Sequence, residues 1–326
     1  MEYRALGKTG LNVSALGFGC GNVGGLMVRG TPAERERAVA RAVELGVNYF
    51  DTAPSYGDGQ SETNLGRVLR VLKPSVHVGT KFRLNPADLA DAAAAIRRSV
   101  EASLGRLGLE RVDLLQLHNP IGPARGNGRV AVKDLLGAIV PALERLRAEG
   151  KTRFVGLTAL GETEALHEAL GTGAFDTAQV CLNLVNPTAA RPVPAGFPAQ
   201  DFAGLVGRAA ADHVGVIAIR VLAAGALSGT EARHPVAVPT VAPIASGPDY
   251  RADVAQARRL GALVDEGYAE SLIDAALRFA LGADGISTIL VGYSSLDHLE
   301  AAAASVARGP LAQAALDRLA QLWETF

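Results

Sequence analysis

The sequence predicts an α/β protein of the (β/α)8 TIM barrel class, with an N-terminal β-hairpin before the barrel and an extra helix at its C-terminus. Three features point that way. From Val13 onward, short β-branched runs alternate with longer Ala-rich runs of helical period. Eight such pairs follow one another with mainly short connections, and eight units favour a parallel sheet closed on itself over an open one. The chain of 326 residues exceeds the ~250 typical of such a barrel, and the surplus falls in the hairpin, in a stretch from Leu222 to Tyr268 and in the last helix. No repeat, low-complexity tract or linker divides the chain, so residues 1–326 are expected to form a single domain.

Met1 to Leu16 reads as two short strands turned at Gly7-Lys8-Thr9-Gly10, a hairpin lid ahead of the main fold. The expected strands are Ala15–Gly19, Asn48–Asp51, Val76–Lys81, Val112–His118, Arg153–Thr158, Thr177–Cys181, Val214–Arg220 and Ser287–Gly292. Helix starts are legible from their caps. Thr31-Pro32-Ala33-Glu34 sets an N-cap, a proline at N1 and a glutamate at N3 in order, and Gly46 closes that helix. Asn85-Pro86-Ala87-Asp88 repeats the pattern and is expected to open a long helix whose apolar face is Leu89, Ile96, Val100, Leu104 and Leu107. Further helices are expected over Ser61–Leu72, Lys133–Glu149, Glu162–Leu170, Asp201–Ala211, Ser271–Leu281, Leu296–Ala307 and Leu311–Trp323. Pro141 should kink the second of these or mark its late start.

Bulk composition narrows the partners. Hydrophobic residues make up 48% of the chain, enough for a large core, and 32 basic against 33 acidic residues leave a net charge of −1. Without a basic stripe, nucleic acid is an unfavoured partner. The charged start Met1-Glu2-Tyr3-Arg4 lacks the apolar core of a signal peptide, and no run is long and apolar enough to span a membrane. The two cysteines, Cys20 and Cys181, have no metal-ligand spacing, which fits a reduced cytoplasmic setting. Oligomeric state is not readable from the sequence.

The chain is organised around Val47-Asn48-Tyr49-Phe50-Asp51-Thr52-Ala53-Pro54-Ser55-Tyr56-Gly57. An apolar, aromatic run breaks at a proline, so Asp51 falls at a strand's C-terminal end and Tyr56 in the loop above it. Lys81 and His118 end the next two strand runs. Chemistry in a barrel gathers at these strand ends, and neighbouring strands lie ~4.8 Å apart, so the four groups can converge. Together they suit carbonyl reduction. Hydride addition leaves an alkoxide-like oxygen that needs a proton, and Tyr56 would supply it. The ammonium of Lys81, held by Asp51, would lower the phenol's pKa, and His118 would donate a hydrogen bond to the carbonyl oxygen. Gly19-Cys20-Gly21-Asn22-Val23-Gly24 matches a dinucleotide fingerprint, but the next helix cap is Thr31, too far on for the last glycine to open a helix. These glycines are expected instead to give a loop lying close against a ligand.

The chain resembles the aldo-keto reductase family in Leu6–Ser14, Phe50–Gly57, Ser61-Glu62-Thr63-Asn64-Leu65-Gly66, Val78-Gly79-Thr80-Lys81, Asp113–His118, Gly150–Gly156 and Ala223–Gly229. The resemblance implies an NAD(P)H-dependent carbonyl reductase or alcohol dehydrogenase working without a metal, with Asp51, Tyr56, Lys81 and His118 as its catalytic tetrad. It implies that Gln179 bonds the nicotinamide amide and that Asp51, Thr158 and Asn183 belong to the cofactor site, although Ala159 replaces the usual asparagine. Arg220 is expected to reach a cofactor phosphate. Val291-Gly292-Tyr293-Ser294-Ser295-Leu296-Asp297-His298 matches the segment around the adenosine phosphate, which brings in Gly292, Ser294 and His298. Ser294 stands where many members carry a cation for the 2′-phosphate, so NADP(H) is the expected cofactor with His298 or Arg251 as substitute partner, and NAD(H) is the alternative.

The substrate expected is a small-molecule carbonyl or alcohol, touched by Met27, Phe82, Asn119 and Trp323. Two other readings compete. One is a Schiff-base aldolase or isomerase using Lys81; the other is a cofactor-binding regulatory subunit of the channel β-subunit type.

Overall fold

Alternation within each short run decides the architecture: one set of side chains needs a core outside the sheet, the other a core inside it. The computed structural model, which describes residues 1–326, meets both needs by closure. Strands β1 (Leu16–Gly19), β2 (Tyr49–Asp51), β3 (His77–Phe82), β4 (Val112–Leu117), β5 (Thr152–Thr158), β6 (Thr177–Cys181), β7 (Gly215–Ile219) and β8 (Ile286–Gly292) pair in chain order, all parallel, and β8 returns to β1. Helices α1 (Pro32–Glu44), α2 (Gln60–Leu72), α3 (Ala92–Leu107), α4 (Val140–Ala148), α5 (Thr163–Gly171), α6 (Leu205–Ala211), α7 (Leu272–Leu281) and α8 (Leu296–Ala307) surround them, and α9 (Gln313–Trp323) follows. The expected barrel, its hairpin and its extra helix are all present.

Outward-facing Phe50, Leu115, Val155, Val216 and Ile289 join helix residues such as Val39, Ile96, Leu143, Leu166 and Leu277 in one continuous apolar layer. Each such side chain contributes about 1.5–3 kcal/mol on burial. Thr31 and Glu34 form the capping box read from the sequence, with Pro32 at N1.

Three helix boundaries differ from expectation. Asn85 caps only a 3-10 turn, Pro86–Ala90, and Asp91 is the true N-cap of α3, its carboxylate accepting from the Ala94 N–H at 3.1 Å. The run Lys133–Glu149 is divided into a helical turn (Val132–Asp134), a wide π-type segment (Leu135–Ile139) and α4. Pro141, which lacks an N–H, sits in the first turn of that last part. Helix α6 begins at Leu205 rather than Asp201 because Ala203 and Gly204 take left-handed backbone angles (φ 49° and 68°).

The hairpin, Tyr3–Ala5 with Asn12–Ser14, is a plug for the N-terminal end of the barrel. Leu6, Leu11 and Val13 pack against Tyr49, Leu114 and Ile217 from the strands. Gly7 touches the start of β7 so closely that a Cβ there would lie 2.2 Å from the Gly215 nitrogen. At the other end, the segment between β7 and a helix at Tyr250–Arg259 reaches across to the β1 loop. Arg29 Nε donates to Val236 O (2.6 Å), and Arg233 NH2 to Val23 O (3.4 Å). No helix is long and apolar enough to cross a membrane.

Candidate active site

Residues i and i+2 of a strand share a face, so Tyr49 and Asp51 of β2 both point into the lumen while Phe50 points out. Lys81 of β3 and Gln116 of β4 are register partners, and Gln179 of β6 pairs with Thr158 of β5. These positions ring the C-terminal end of the barrel. Lys81 is buried and forms an ion pair with Asp51 Oδ1 while donating to Thr52 O at 3.0 Å. The other carboxylate oxygen of Asp51 accepts from Gln179 Nε2 (2.7 Å), Tyr49 OH (3.0 Å) and Gln116 Nε2 (3.1 Å).

Tyr56 stands above this cluster on a loop fixed from both sides. Its N–H donates to Ala53 O and its carbonyl accepts from Ser61 N, both at 3.1 Å. Gly57 (φ 61°) turns the chain where a Cβ would lie 2.4 Å from Val28. Helix α2 secures the surroundings: Ser61 Oγ donates to Cys20 O, Asn64 Nδ2 to Met27 O, and buried Glu62 accepts from Thr80 Oγ1 and Arg106 Nε. The segment Ser61–Gly66 therefore ties the β1 and β2 loops to β3.

The Lys81 ammonium lies 5.0 Å from the Tyr56 ring centroid, and the His118 ring meets Tyr56 edge-on at 5.9 Å. Asp51, Lys81, Tyr56 and His118 thus share one spot at the mouth. Burial raises the Tyr56 pKa above the ordinary phenol value, and the charge of Lys81 pulls it back only in part. This corrects the expectation of a net lowering: desolvation of the phenolate outweighs the single cation. Burial works against the charge on Lys81, but Asp51 and Tyr56 reverse the effect and raise its pKa. Burial, Lys81 and Arg83 push His118 down to about 3, so its imidazole is neutral near pH 7. A charged Lys81 in a buried ion pair with Asp51 is poorly suited to Schiff-base attack, which needs a free amine.

The residues expected at a cofactor fall into two groups. Thr158 Oγ1 is buried without a partner, Gln179 retains its carbonyl oxygen for a ligand, and Arg220 forms no ion pair, its NH1 reaching only Ala242 O at 3.4 Å. Gly292 and His298 are exposed, His298 in the first turn of α8 beside the His234 ring (5.7 Å). An orphaned hydroxyl beside a glutamine, with unpaired basic groups further out, fits a carboxamide and phosphates.

The second group is already engaged. Asn183 donates to Arg220 O and accepts from the Val185 and Asn186 N–H groups, so it builds a turn. Ser294 is buried and donates to Gly24 O at 2.7 Å. Arg251 pairs with Glu231.

The four expected substrate contacts, Met27, Phe82, Asn119 and Trp323, are buried as well. Met27 and Phe82 lie in the apolar layer. The Asn119 amide is used on Leu84 and Gly128, and Trp323 donates to Leu184 O at 2.9 Å while packing on Phe279. In the β1 loop Gly24 lies close against the protein's own chain, where a Cβ would be 2.5 Å from the Tyr293 nitrogen, while Gly21 lies beside the Tyr56 ring, a Cβ there being 3.7 Å from it. Sequence reading passed over Tyr49 and Gln116 as site residues. The signal was available, since each lies two residues before a tetrad member, on the same strand face.

A carboxylate–ammonium pair under a phenol, with a neutral imidazole across from it, can deliver or accept one proton. The family model described as "Aldo/keto reductase family" matches residues 15–324. L-galactose dehydrogenase of Arabidopsis thaliana is 31% identical over 310 residues, covering 94% of this chain and 88% of that protein. D-threo-aldose 1-dehydrogenase of a Pseudomonas species is 30% identical over 259 residues, covering 71% and 72%. In three dimensions, the holo form of an aldo-keto reductase from Bacillus halodurans superposes with a TM-score of 0.72 at 24% identity, over 100% of this chain and 96% of that one. The chain therefore belongs to the aldo/keto reductase family and is an NAD(P)-dependent oxidoreductase acting between carbonyl and CH–OH groups.

Proposed function

We propose that the protein reversibly reduces an aldehyde, ketone or sugar carbonyl with Tyr56 as the proton donor, NADP(H) being the cofactor and NAD(H) the alternative. Two relatives bear the names of sugar dehydrogenases, which favours a sugar carbonyl. The observation carrying the reading is the convergence of Tyr56, Lys81, Asp51 and His118 on one spot.

When bound, the nicotinamide supplies or takes up the hydride. Thr158 and Gln179 would hold its carboxamide, and Arg220, Gly292 and His298 would face its phosphates. Tyr56 keeps its proton at neutral pH, because burial raises its pKa, and releases it to the carbonyl oxygen as negative charge builds there. Lys81 offsets the phenolate left behind. Neutral His118 donates one N–H to the same oxygen, which fixes the face presented to the cofactor.

Tyr56→Phe tests this. Turnover of a test aldehyde should fall by about 10²-fold or more, while the fluorescence titration with NADPH gives an affinity close to that of the unaltered protein. Reduction at an undiminished rate would move the acid elsewhere.

A further inference from the structure

The mouth rests on a buried polar floor. Tyr49, Gln116 and Gln179 are all buried and all donate to the same oxygen of Asp51, at 3.0, 3.1 and 2.7 Å, while Lys81 takes the other oxygen. An ionised carboxylate offers about four lone-pair sites, and four donors converge on this one, three of them on a single oxygen.

The lumen is cleared for two of these donors. The Tyr49 ring lies against Gly17 and its hydroxyl against Gly79, where added Cβ atoms would sit 3.1 Å from Cδ1 and 2.7 Å from the hydroxyl oxygen. Gly156, the register partner of Gln116, leaves the space that the Gln116 chain crosses, a Cβ there lying 3.2 Å from its Cγ. Gln116 also bears a cost. With Nε2 on Asp51, its Oε1 is buried with no partner, a penalty of the kind that usually selects against an amide. Reversing the amide would set Oε1 against the carboxylate, so Asp51 dictates the orientation.

We infer that Tyr49 and Gln116 are positioning residues, whose donors fix the Asp51 carboxylate and offset its charge so that Lys81, and through it Tyr56, is tuned for proton transfer. The inference rests on the reading of Tyr56 given above. The charged groups facing Tyr56 are Asp51 from β2, Lys81 from β3 and Arg220 from the end of β7, with His118 opposite. Withdrawing one donor leaves more of the Asp51 charge uncompensated, which disfavours the phenolate. The sign follows: the high-pH limb of aldehyde reduction, where Tyr56 loses its proton, moves upward.

The variants are Tyr49→Phe, which removes one oxygen from a ring left in place, and Gln116→Met, which keeps the shape without donor or orphan acceptor. Each should shift the high-pH limb of kcat upward by about 0.5–1 unit and slow the plateau about threefold. Gln116→Met should do so with a melting temperature at or above that of the unaltered protein, because it abolishes a buried unsatisfied acceptor. A merely structural role gives the reverse pattern, a lower melting temperature with an unmoved limb, and would overturn the inference. The ¹³Cζ resonance of Tyr56, assigned by its loss in Tyr56→Phe, follows the phenol without turnover. If Tyr56→Phe stays active, the donor assignment fails, while an unmoved ¹³Cζ titration in Tyr49→Phe and Gln116→Met sinks the positioning role separately.

Discussion

The two ends of the barrel lumen are built from the same strands and answer to opposite demands. At the N-terminal end, Leu6, Leu11 and Val13 of the hairpin meet Leu114, Ile217 and the Tyr49 ring in a dry apolar plug. Two residues further along β2 and β4, the side chains are Asp51 and Gln116, and the lumen holds a buried ion pair, several donors and orphaned acceptors on Gln116, Thr158, Thr177 and Thr288. The plug contributes stability without chemistry. The floor carries chemistry and taxes stability, since buried ion pairs seldom outperform apolar replacements of the same volume. Tyr49 joins them, its ring in the plug and its hydroxyl in the floor.

The comparison can be broken most severely at Lys81. Lys81→Met leaves the Asp51 charge buried and unpaired, so turnover should drop by about 10³-fold and stability by about 3–5 kcal/mol. Kinetics and denaturant melts on the same preparation would read both losses. At the other end, Leu114→Ala should cost about 2–5 kcal/mol in a urea melt while activity per folded molecule is kept. A loss of turnover in excess of the unfolded fraction would mean that the plug is not mechanically separate from the floor.

Acid sharpens the contrast in another way. The His118 pKa is depressed to about 3, so between the ordinary imidazole value of 6.5 and that point the unfolded chain binds a proton that the folded one refuses. Stability contributed by neutral His118 is present above pH 6.5 and is lost as the pH falls through this window. His118→Asn should flatten that part of the stability profile; an unchanged slope would show that His118 is not the group responsible. The smallest effect expected lies at the cofactor end. Burial and the neighbouring His234 lower the His298 pKa, so its charge grows only as the solution becomes acidic. Fluorescence titrations should find the preference for NADPH over NADH rising as the pH falls from 8 to ~5.5, and a pH-independent ratio would remove His298 from that role.

The barrel, its strands and the convergence of Asp51, Tyr56, Lys81 and His118 were legible because they follow from period, caps and strand-end placement, which are local signals. What distant segments decide was not legible. Whether Trp323 faces the mouth depends on Leu184 and Phe279, and whether Asn119 is free depends on Leu84 and Gly128. In the β1 loop, the close approach of Tyr293 that requires a glycine at position 24 comes from a distant strand end. The net direction of the Tyr56 shift was missed for a related reason: a charge partner is visible in sequence, whereas the depth of burial is not.

Replacing both charges of the buried pair, Lys81→Met with Asp51→Asn, which keeps an acceptor for Tyr49, Gln116 and Gln179, bears most directly on the claim that the floor is kept for proton transfer and not for stability. Thermal melts and single-turnover hydride transfer from NADPH to a test aldehyde would be measured on the same protein. The expected result is a melting temperature equal to or above that of the unaltered chain, with transfer slowed by about 10²-fold or more. Transfer at the original rate, or a melting temperature as low as that of Lys81→Met alone, would contradict the account.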